Sequence, residues 1–406
     1  MPVMMPAPSS SVPLLITPAS QAFLKPWLAS NASSSSSSSS PSPSSHRQRV
    51  TSPVFAIPTP FLNSRGPSVV DSSSSSDVED YPYAGRSAPS SLDTCDGTLK
   101  DHVKFTQKHG VEAIIVGGTT AEFPSISLRQ RWKDIQTVIG EAKKANQFVI
   151  VHVSFTCLAD LRQLLDHARD TGADAVLILP PYYFANVPSQ GIEEFLDKAL
   201  SDCTDCIPAF LYHFPKHTGN AITPEMYGRL AKKHENCLLG IKDSGGNLQD
   251  SIAFQKAAPN LRVIVGNDRG ALDVLKAGLS GSVTGAMNPA PELLMALYRA
   301  FVDGKMDEAE KAQGRINEWH DALAAHQGME EIPLVKAGMS ARIEAYSRNC
   351  RAPLLTASPA VTDALKAALH KLLGDFDVFR RTWSQTEYHG DEAEKKMWKG
   401  LLLPST

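Results

Sequence analysis

The sequence predicts an α/β fold: a (β/α)8 TIM barrel followed by a C-terminal helical extension. Eight short apolar runs, rich in β-branched residues, recur along the chain. They are continuous rather than alternating, as is expected of strands that are buried on both faces. Amphipathic stretches separate the runs, so strand and helix alternate eight times within roughly 230 residues. No GxGxxG turn follows any run, which argues against a doubly wound open sheet.

The predicted strands are VFAIPTPF (54–61), AIIVGG (113–118), FVIVHVS (148–154), AVLILPP (175–181), PAFLYHFP (208–215), LLGIKDS (238–244), RVIVGN (262–267) and GSVTGA (281–286). Helical patterns lie between them, for example at 99–110, 127–145 and 157–172. Gly110 stands where a helix is expected to end, because glycine accepts the backbone conformation that follows a last helical turn. Further helical patterns follow the eighth strand at 291–325, about 333–347 and 359–374.

The segments outside the barrel differ from it in composition. Residues 1–50 are rich in serine and proline, and the first acidic residue of the chain is Asp71. Such a segment buries too little apolar surface to order itself, so we expect disorder, as an organelle transit peptide or as a plain tail. The predicted organisation is a disordered segment at 1–50, a barrel at 51–290 with a low-complexity insertion at about 63–91, C-terminal helices at 291–375 and a peripheral charged tail at 376–406.

Composition narrows the class of protein and its partners. The 406 residues are 42% hydrophobic and 20% charged, with a formal net charge of -3. This charge does not support a nucleic-acid or membrane partner, and no apolar run approaches the roughly 20 residues of a membrane span. Six cysteines in so long a chain do not make a disulfide framework, and the single CxxC at 203–206 is interpreted as ordinary thiols. The compartment stays open between mitochondria and cytoplasm; secretion is not expected.

A lysine ends the sixth predicted strand, in the stretch LLGIKDSGG. In a barrel of this type, catalytic groups lie at the C-terminal ends of the strands. Lys242 could reach solvent there or pair with the neighbouring Asp243. Alternatively, a dry barrel disfavours the charged form of an amine, and a neutral amine attacks a carbonyl to form a Schiff base. The protonated imine then acts as an electron sink, so an adjacent carbon–carbon bond can break or form.

Such chemistry needs a proton carrier and an anion cradle. Tyr212, on the fifth strand, is a candidate acid and base, or else a core phenol. Thr119 and Thr120 follow two glycines, where N–H groups and hydroxyls can bind a carboxylate, or they form an ordinary turn. The strand ends carry no carboxylate pair and no metal-ligand spacing. We therefore expect no metal and no organic cofactor.

At these residues the chain resembles the dihydrodipicolinate synthase / N-acetylneuraminate lyase family of class I pyruvate aldolases, over about 51–375. GGTTAE (117–122) is similar to the GxTGE loop, PPYYF (180–184) to the PYY turn, LYHFPKHTG (211–219) to the YNxPxxTG segment, GIKDSGG (240–246) to the Schiff-base lysine motif, and CRAPLLTAS (350–358) to the RxPL stretch. The motifs are specific and appear in the family's order.

The resemblance implies a role for each matching residue. Lys242 would form a covalent imine with a small 2-oxo acid, and Tyr212 would be the acid and base. Thr119 and Thr120 would bind the substrate carboxylate, with Thr120 also in a proton relay. Tyr183 would complete that relay in a neighbouring subunit, which implies a homodimer or a dimer of dimers.

Two departures from the family pattern bear on the substrate. Ala121 stands where the loop usually has glycine, which would be strained if that position needs a positive φ. His217 stands where dihydrodipicolinate synthases carry an arginine, and a histidine cannot supply a bidentate fork for a second carboxylate. Lysine biosynthesis is therefore disfavoured. Ser244 and Ser282 are the remaining candidates for substrate contact.

The sequence-based hypothesis is an aldolase that cleaves 4-hydroxy-2-oxoglutarate to pyruvate and glyoxylate, since AEFP (121–124) and KDSGG (242–246) look closest to that branch. A 2-keto-3-deoxy sugar-acid aldolase is the near alternative, followed by a dihydrodipicolinate synthase. The alternative from another class is a catalytically silent barrel that binds a 2-oxo acid as a sensor or assembly partner.

Overall fold

The computed structural model describes residues 53–60, 94–203, 207–376 and 378. Within them the predicted barrel is confirmed: eight parallel strands close in sequence order, and the first strand pairs with both the second and the eighth. The N-terminal segment at 1–50, the insertion at 63–91 and nearly all of the tail at 376–406 lie outside the described residues. No helix among the described residues is long and apolar enough to span a bilayer.

All eight strands appear where they are predicted, but each ends earlier than its apolar run. They are β1 (Val54–Ala56), β2 (Ala113–Val116), β3 (Phe148–His152), β4 (Ala175–Ile178), β5 (Ala209–His213), β6 (Leu238–Asp243), β7 (Arg262–Val265) and β8 (Gly281–Thr284). Prolines explain two of the early ends, because proline lacks the N–H that a strand donates: Pro58 follows β1, and Pro180 follows β4. The remaining residues of each run form the loops at the C-terminal ends of the strands.

Each strand buries both of its faces, which explains the continuous apolar runs. Alternate residues fill the barrel interior, including Ala56, Ile115, Ile150, Leu177, Tyr212, Ile264 and Val283. The intervening residues, such as Phe55, Ile114 and Val265, pack outward against the helices. Both layers are apolar, so the polar side chains at the C-terminal ends of the strands differ in chemistry from the rest of the barrel.

Twelve α-helices surround and extend the barrel in the described residues. They are α1 (Asp96–Lys108), α2 (Leu128–Ala142), α3 (Leu158–Thr171), α4 (Ser189–Cys203), α5 (Pro215–Thr218), α6 (Pro224–Lys233), α7 (Leu248–Ala257), α8 (Ala271–Lys276), α9 (Pro291–Val302), α10 (Met306–Ala324), α11 (Glu331–Arg342) and α12 (Pro359–Leu373). Gly110 ends the first of these as predicted: its φ is +73° and its N–H bonds to the Gln107 carbonyl at 3.0 Å.

The C-terminal extension is anchored on the barrel by buried side chains. The predicted helical stretch 291–325 is two helices, α9 and α10, and Gly304 (φ +76°) lies at the break between them. Trp319 of α10 is fully buried and donates its indole N–H to the Ala286 carbonyl, 2.8 Å away, just beyond β8. The extension therefore packs at the end of the barrel where the strands terminate.

Candidate active site

Lys242 points into the barrel rather than to solvent. Its register partners on the two neighbouring strands, Tyr212 and Ile264, both belong to the inner cluster. The side chain is buried, and its Nζ lies 4.0 Å from the centroid of the Tyr212 ring. Asp243 does not serve as its counter-ion, because that carboxylate accepts from the Gly245 N–H at 2.8 Å and from the Ser251 hydroxyl. The geometry thus favours the buried amine over the solvent-exposed lysine.

Tyr212 presents its ring to the lysine and its hydroxyl to the loop after β2. The residue is 1% exposed, and its phenol oxygen lies 3.5 Å from Oγ1 of Thr119. The ring of Phe214 stacks on that of Tyr212, with ring centroids 5.6 Å apart. At the barrel mouth, the amine of Lys242 therefore contacts the Tyr212 ring, and the Tyr212 hydroxyl contacts that of Thr119.

The loop that carries Thr119 and Thr120 is packed tightly against β8. Both threonines are half-buried. A Cβ on Gly285 would lie 2.4 Å from Oγ1 of Thr120, so residue 285 must be glycine for the threonine to take this position. The positive φ of this loop falls at Glu122 (+61°) rather than at Ala121, so the alanine is not the strained residue.

Tyr183 lies outside this cluster, on the surface. Its side chain is 87% exposed and that of Phe184 is 72% exposed. The backbone of Tyr183 has a φ of +86°, a conformation that is costly for a bulky residue. Asn220 holds the loop there: its Nδ2 donates to the carbonyls of Pro181 at 2.7 Å and Phe184 at 2.9 Å. The phenol is therefore held in an exposed position.

Ser244 and His217 both follow strands, at the C-terminal ends of β6 and β5. A Cβ on Gly266 would meet Oγ of Ser244 at 2.3 Å, so the serine hydroxyl lies directly over the end of β7. His217, on α5, packs edge-on against Phe214 with ring centroids 4.3 Å apart. Partial burial, and then the charge of Lys216, hold the pKa of His217 below its ordinary value.

Ser282 is not brought together with the other candidates. Its register partner on β7 is Val265, which faces the helices, and its N–H donates to the hydroxyl of Tyr298 on α9. Val283, the next residue, belongs to the inner cluster instead. The structure therefore places Ser282 on the outer face of β8, away from Lys242.

One buried polar residue of the site was missed by the sequence reasoning. His152 ends β3 on the inner face, since its register partner is Leu177. Its ring lies 6.1 Å from that of Tyr212, and Nδ1 donates to the Gly117 carbonyl at 3.0 Å. Burial, followed by the charges of Arg131 and Lys242, lowers the pKa of His152 well below its ordinary value, so the ring is neutral. The signal in the sequence is the histidine of the apolar run FVIVHVS, which follows the inward-facing residues Phe148 and Ile150 at the same spacing of two.

The arrangement can perform imine chemistry with a proton carrier and a carboxylate cradle. Across the described ranges, no group of three or more His, Cys, Asp or Glu side chains has the geometry to hold a metal ion. Cys206 of the CxxC lies outside the described residues, so the interpretation of this motif as ordinary thiols stays a prediction.

The chain is similar in sequence to one protein family and to several of its members. A family model described as the dihydrodipicolinate synthetase family matches residues 93–372. The chain is 28% identical over 275 residues to a 4-hydroxy-tetrahydrodipicolinate synthase of Methanopyrus kandleri, covering 68% of this chain and 89% of the relative. It is 29% identical over 291 residues to a probable 2-dehydro-3-deoxy-D-pentonate aldolase of Escherichia coli, covering 68% and 92%. Because the two identities are nearly equal, they do not separate the substrates.

A solved structure agrees with the fold. The crystal structure of a prophage protein of Escherichia coli K12, a member of the dihydrodipicolinic acid synthase family in complex with pyruvate, is similar to the chain with a TM-score of 0.66. The alignment covers 79% of this chain and 98% of that protein. At 19% identity this likeness shows the fold alone.

Proposed function

We propose that this chain, which belongs to the dihydrodipicolinate synthetase family and is a carbon–carbon lyase of the class I aldolase type, cleaves a 4-hydroxy-2-oxo acid to pyruvate and an aldehyde. The observation that carries the proposal is the pairing of Lys242 with Tyr212. They are register partners on adjacent strands, with Nζ 4.0 Å from the phenol ring centroid and the phenol oxygen 3.5 Å from Thr119. A buried amine beside a phenol suits imine formation with proton transfer.

The reaction can be written with these groups alone. The amine of Lys242 attacks C2 of the 2-oxo group, and the hydroxyl of the resulting carbinolamine leaves as water with the proton of Tyr212. The phenoxide then takes the proton of the C4 hydroxyl, the C3–C4 electron pair moves into the iminium, and the aldehyde departs. Tyr212 returns that proton to C3 of the enamine. The phenoxide then takes a proton from the water that attacks C2 of the iminium, and the carbinolamine collapses to pyruvate and the free amine of Lys242.

The hydroxyls around this pair have supporting roles in the proposal. Thr119 and Thr120 bind the carboxylate of the 2-oxo acid, and Thr120 passes protons to and from Tyr212. Tyr183 serves the site of a partner subunit; support comes from its exposed side chain, which lies outside the cluster around Lys242. We therefore propose that the active form is at least a homodimer.

We propose 4-hydroxy-2-oxoglutarate as the substrate and glyoxylate as the aldehyde product. Support comes from AEFP (121–124) and KDSGG (242–246), which look closest to that branch of the family. His217 disfavours a dihydrodipicolinate synthase, because a histidine cannot supply the bidentate fork of an arginine. Ser244, which lies over the end of β7, offers a hydroxyl to the distal half of the substrate. The second candidate is a 2-dehydro-3-deoxy sugar acid, which is favoured by the name of the Escherichia coli relative.

Borohydride reduction in the presence of pyruvate tests the proposal. The intact mass of the wild type should rise by one reduced pyruvyl group, and Lys242→Ala should abolish the gain. Absence of an adduct on the wild type would refute the enzyme and favour a silent binding barrel. With the adduct established, pyruvate release from 4-hydroxy-2-oxoglutarate is compared with that from 2-dehydro-3-deoxy sugar acids. A higher kcat/KM for the sugar acids would replace the proposed substrate.

A further inference from the structure

The loop that carries Thr119 and Thr120 ends in a buried ion pair. Lys336 of α11 donates from Nζ to Oε1 of Glu122 at 2.7 Å, and both side chains are completely buried. The other oxygen, Oε2, accepts the backbone N–H of Arg351 at 2.7 Å, and Lys336 also donates to the Asn349 carbonyl. A buried pair offsets its desolvation cost only when such additional hydrogen bonds are made. Each partner of this ion pair thus has the additional hydrogen bond that a buried charge needs.

The ion pair holds a backbone turn that includes the first threonine. Glu122 has a φ of +61°, which costs a residue with a side chain on the order of 1 kcal/mol or more. Its N–H bonds to the carbonyl of Thr119 at 2.9 Å, and the Ala121 N–H bonds to Gly118 at 3.1 Å. A shift of Glu122 therefore moves Thr119 directly, because the two residues close the same turn.

A second set of contacts clamps the same loop from the C-terminal extension. The guanidinium of Arg351 donates from Nη1 to the Ser125 carbonyl at 2.9 Å, and Oγ of Ser125 donates to the Ala352 carbonyl at 3.2 Å. On the opposite side, Thr120 packs on Gly285. The threonine loop is thus held between the end of β8 and the extension, and the extension side is anchored by Lys336.

We infer that Lys336, which lies outside the barrel, is a positioning residue for the substrate carboxylate and acts through Glu122 on the turn that carries Thr119 and Thr120. The inference rests on the proposed function, in which these threonines bind the carboxylate. It predicts that loss of the ion pair weakens the binding of 2-oxo acids. The reactivity of Lys242 toward a ketone without a carboxylate should be unchanged.

The test compares pyruvate with hydroxyacetone, a small ketone that lacks the carboxylate. For each, the concentration dependence of borohydride trapping on Lys242 gives an apparent affinity. In Lys336→Met, the half-saturating pyruvate concentration should rise roughly tenfold, as is expected when a hydrogen bond to a charged group is misaligned. The hydroxyacetone value should stay within about twofold of the wild type.

A second buried pair of the same extension supplies the matched control. Arg342 of α11 pairs with Glu292 of α9, and both are buried, but neither contacts the threonine loop. Arg342→Met should lower the melting temperature and leave the ratio of the two apparent affinities at the wild-type value. A pyruvate-selective loss in this variant would overturn the inference, because general loosening of the extension would then explain the effect.

The double variant Glu122→Gln/Lys336→Met covers the case in which Lys336→Met does not fold. It leaves no buried charge unpaired, so it should fold, and the pyruvate-selective loss should persist at roughly threefold or more. Wild-type affinities in the double variant, or equal losses for both ketones in either variant, would overturn the inference alone. A wild type that traps hydroxyacetone but not pyruvate would overturn the proposed function as well.

Discussion

Nζ of Lys242 lies 4.0 Å from the centroid of the Tyr212 ring, and the two residues are register partners on adjacent parallel strands. The phenol ring therefore contacts the amine, while the phenol hydroxyl reaches the opposite way, to Thr119 at 3.5 Å. This division makes the ring and the hydroxyl separable by mutation.

Tyr212→Phe should keep the ring contact with Lys242 and remove the proton carrier. We expect kcat for retro-aldol cleavage to fall roughly 100-fold or more, the usual contribution of a positioned acid or base. Borohydride should still trap pyruvate on Lys242, at a lower rate. Tyr227→Phe is the control, because Tyr227 is fully buried outside the barrel interior. An equal loss in both variants would contradict a catalytic role for the Tyr212 hydroxyl.

Gly285→Ala should displace Thr120 without touching the lysine. The added methyl would lie 2.4 Å from Oγ1 and 3.3 Å from Cγ2 of Thr120, so the threonine must move. We expect KM for the 2-oxo acid to rise roughly tenfold through the loss of a hydroxyl contact to the carboxylate. Steady-state kinetics measure this, and a wild-type KM would show that Thr120 does not bind the carboxylate.

Gly314→Ala is the matched control for that substitution. Gly314 lies within α10, and a Cβ there would meet no atom within 4 Å. Alanine is the better helix former, so the unfolding free energy should rise by about 0.5–1 kcal/mol while the kinetics stay unchanged.

The barrel and its central pair were predictable from the sequence because parallel strands give local signals. Continuous apolar runs mark strands that are buried on both faces, and C-terminal ends of such strands meet at one mouth. Lys242 and Tyr212 end two consecutive runs, so their proximity follows from the fold class. The early ends of β1 and β4 were also readable in principle, since Pro58 and Pro180 lie within the runs.

The features of the site that the sequence did not predict depend on contacts between distant parts of the chain. The strained residue of the threonine loop is Glu122, and Lys336 of α11 holds it through a buried ion pair. Whether Ser282 faces the barrel or the helices depends on its register with Val265, which no local pattern reveals. Side-chain direction in a strand buried on both faces cannot be read from hydrophobicity, because both faces are apolar.

His102 should make the stability of the protein depend on pH. It is fully buried, and burial lowers its pKa to about 3, although hydrogen bonds to Asn288 and Pro58 act in the opposite direction. The unfolded chain has the ordinary value of 6.5, so it binds a proton between these two pH values and the folded protein does not. The stabilisation is present above pH 6.5 and is lost as the pH falls toward 3, by about 5 kcal/mol in total.

His102→Gln removes that titration. The unfolding free energy of the variant, measured by urea denaturation at several pH values, should decline less on acidification than that of the wild type. The difference between the two proteins should therefore shrink steadily below pH 6.5. Parallel curves for wild type and variant would mean that His102 is protonated as readily in the folded state as in the unfolded chain.

Tyr183 gives the sharpest test of a site shared between subunits. Its exposed phenol and positive φ suit a residue that is presented to a partner. Tyr183→Phe and Lys242→Ala should each be nearly inactive alone. When the two variants are unfolded together and refolded at equal concentration, half of the dimers are mixed, and each mixed dimer has one site with both residues intact. Activity should return to about a quarter of the wild-type value, as follows from random pairing of two chains in a symmetric dimer. If the refolded mixture stays as inactive as its components, Tyr183 acts within its own subunit. A Tyr183→Phe variant that is active alone would show that the phenol takes no part in the reaction.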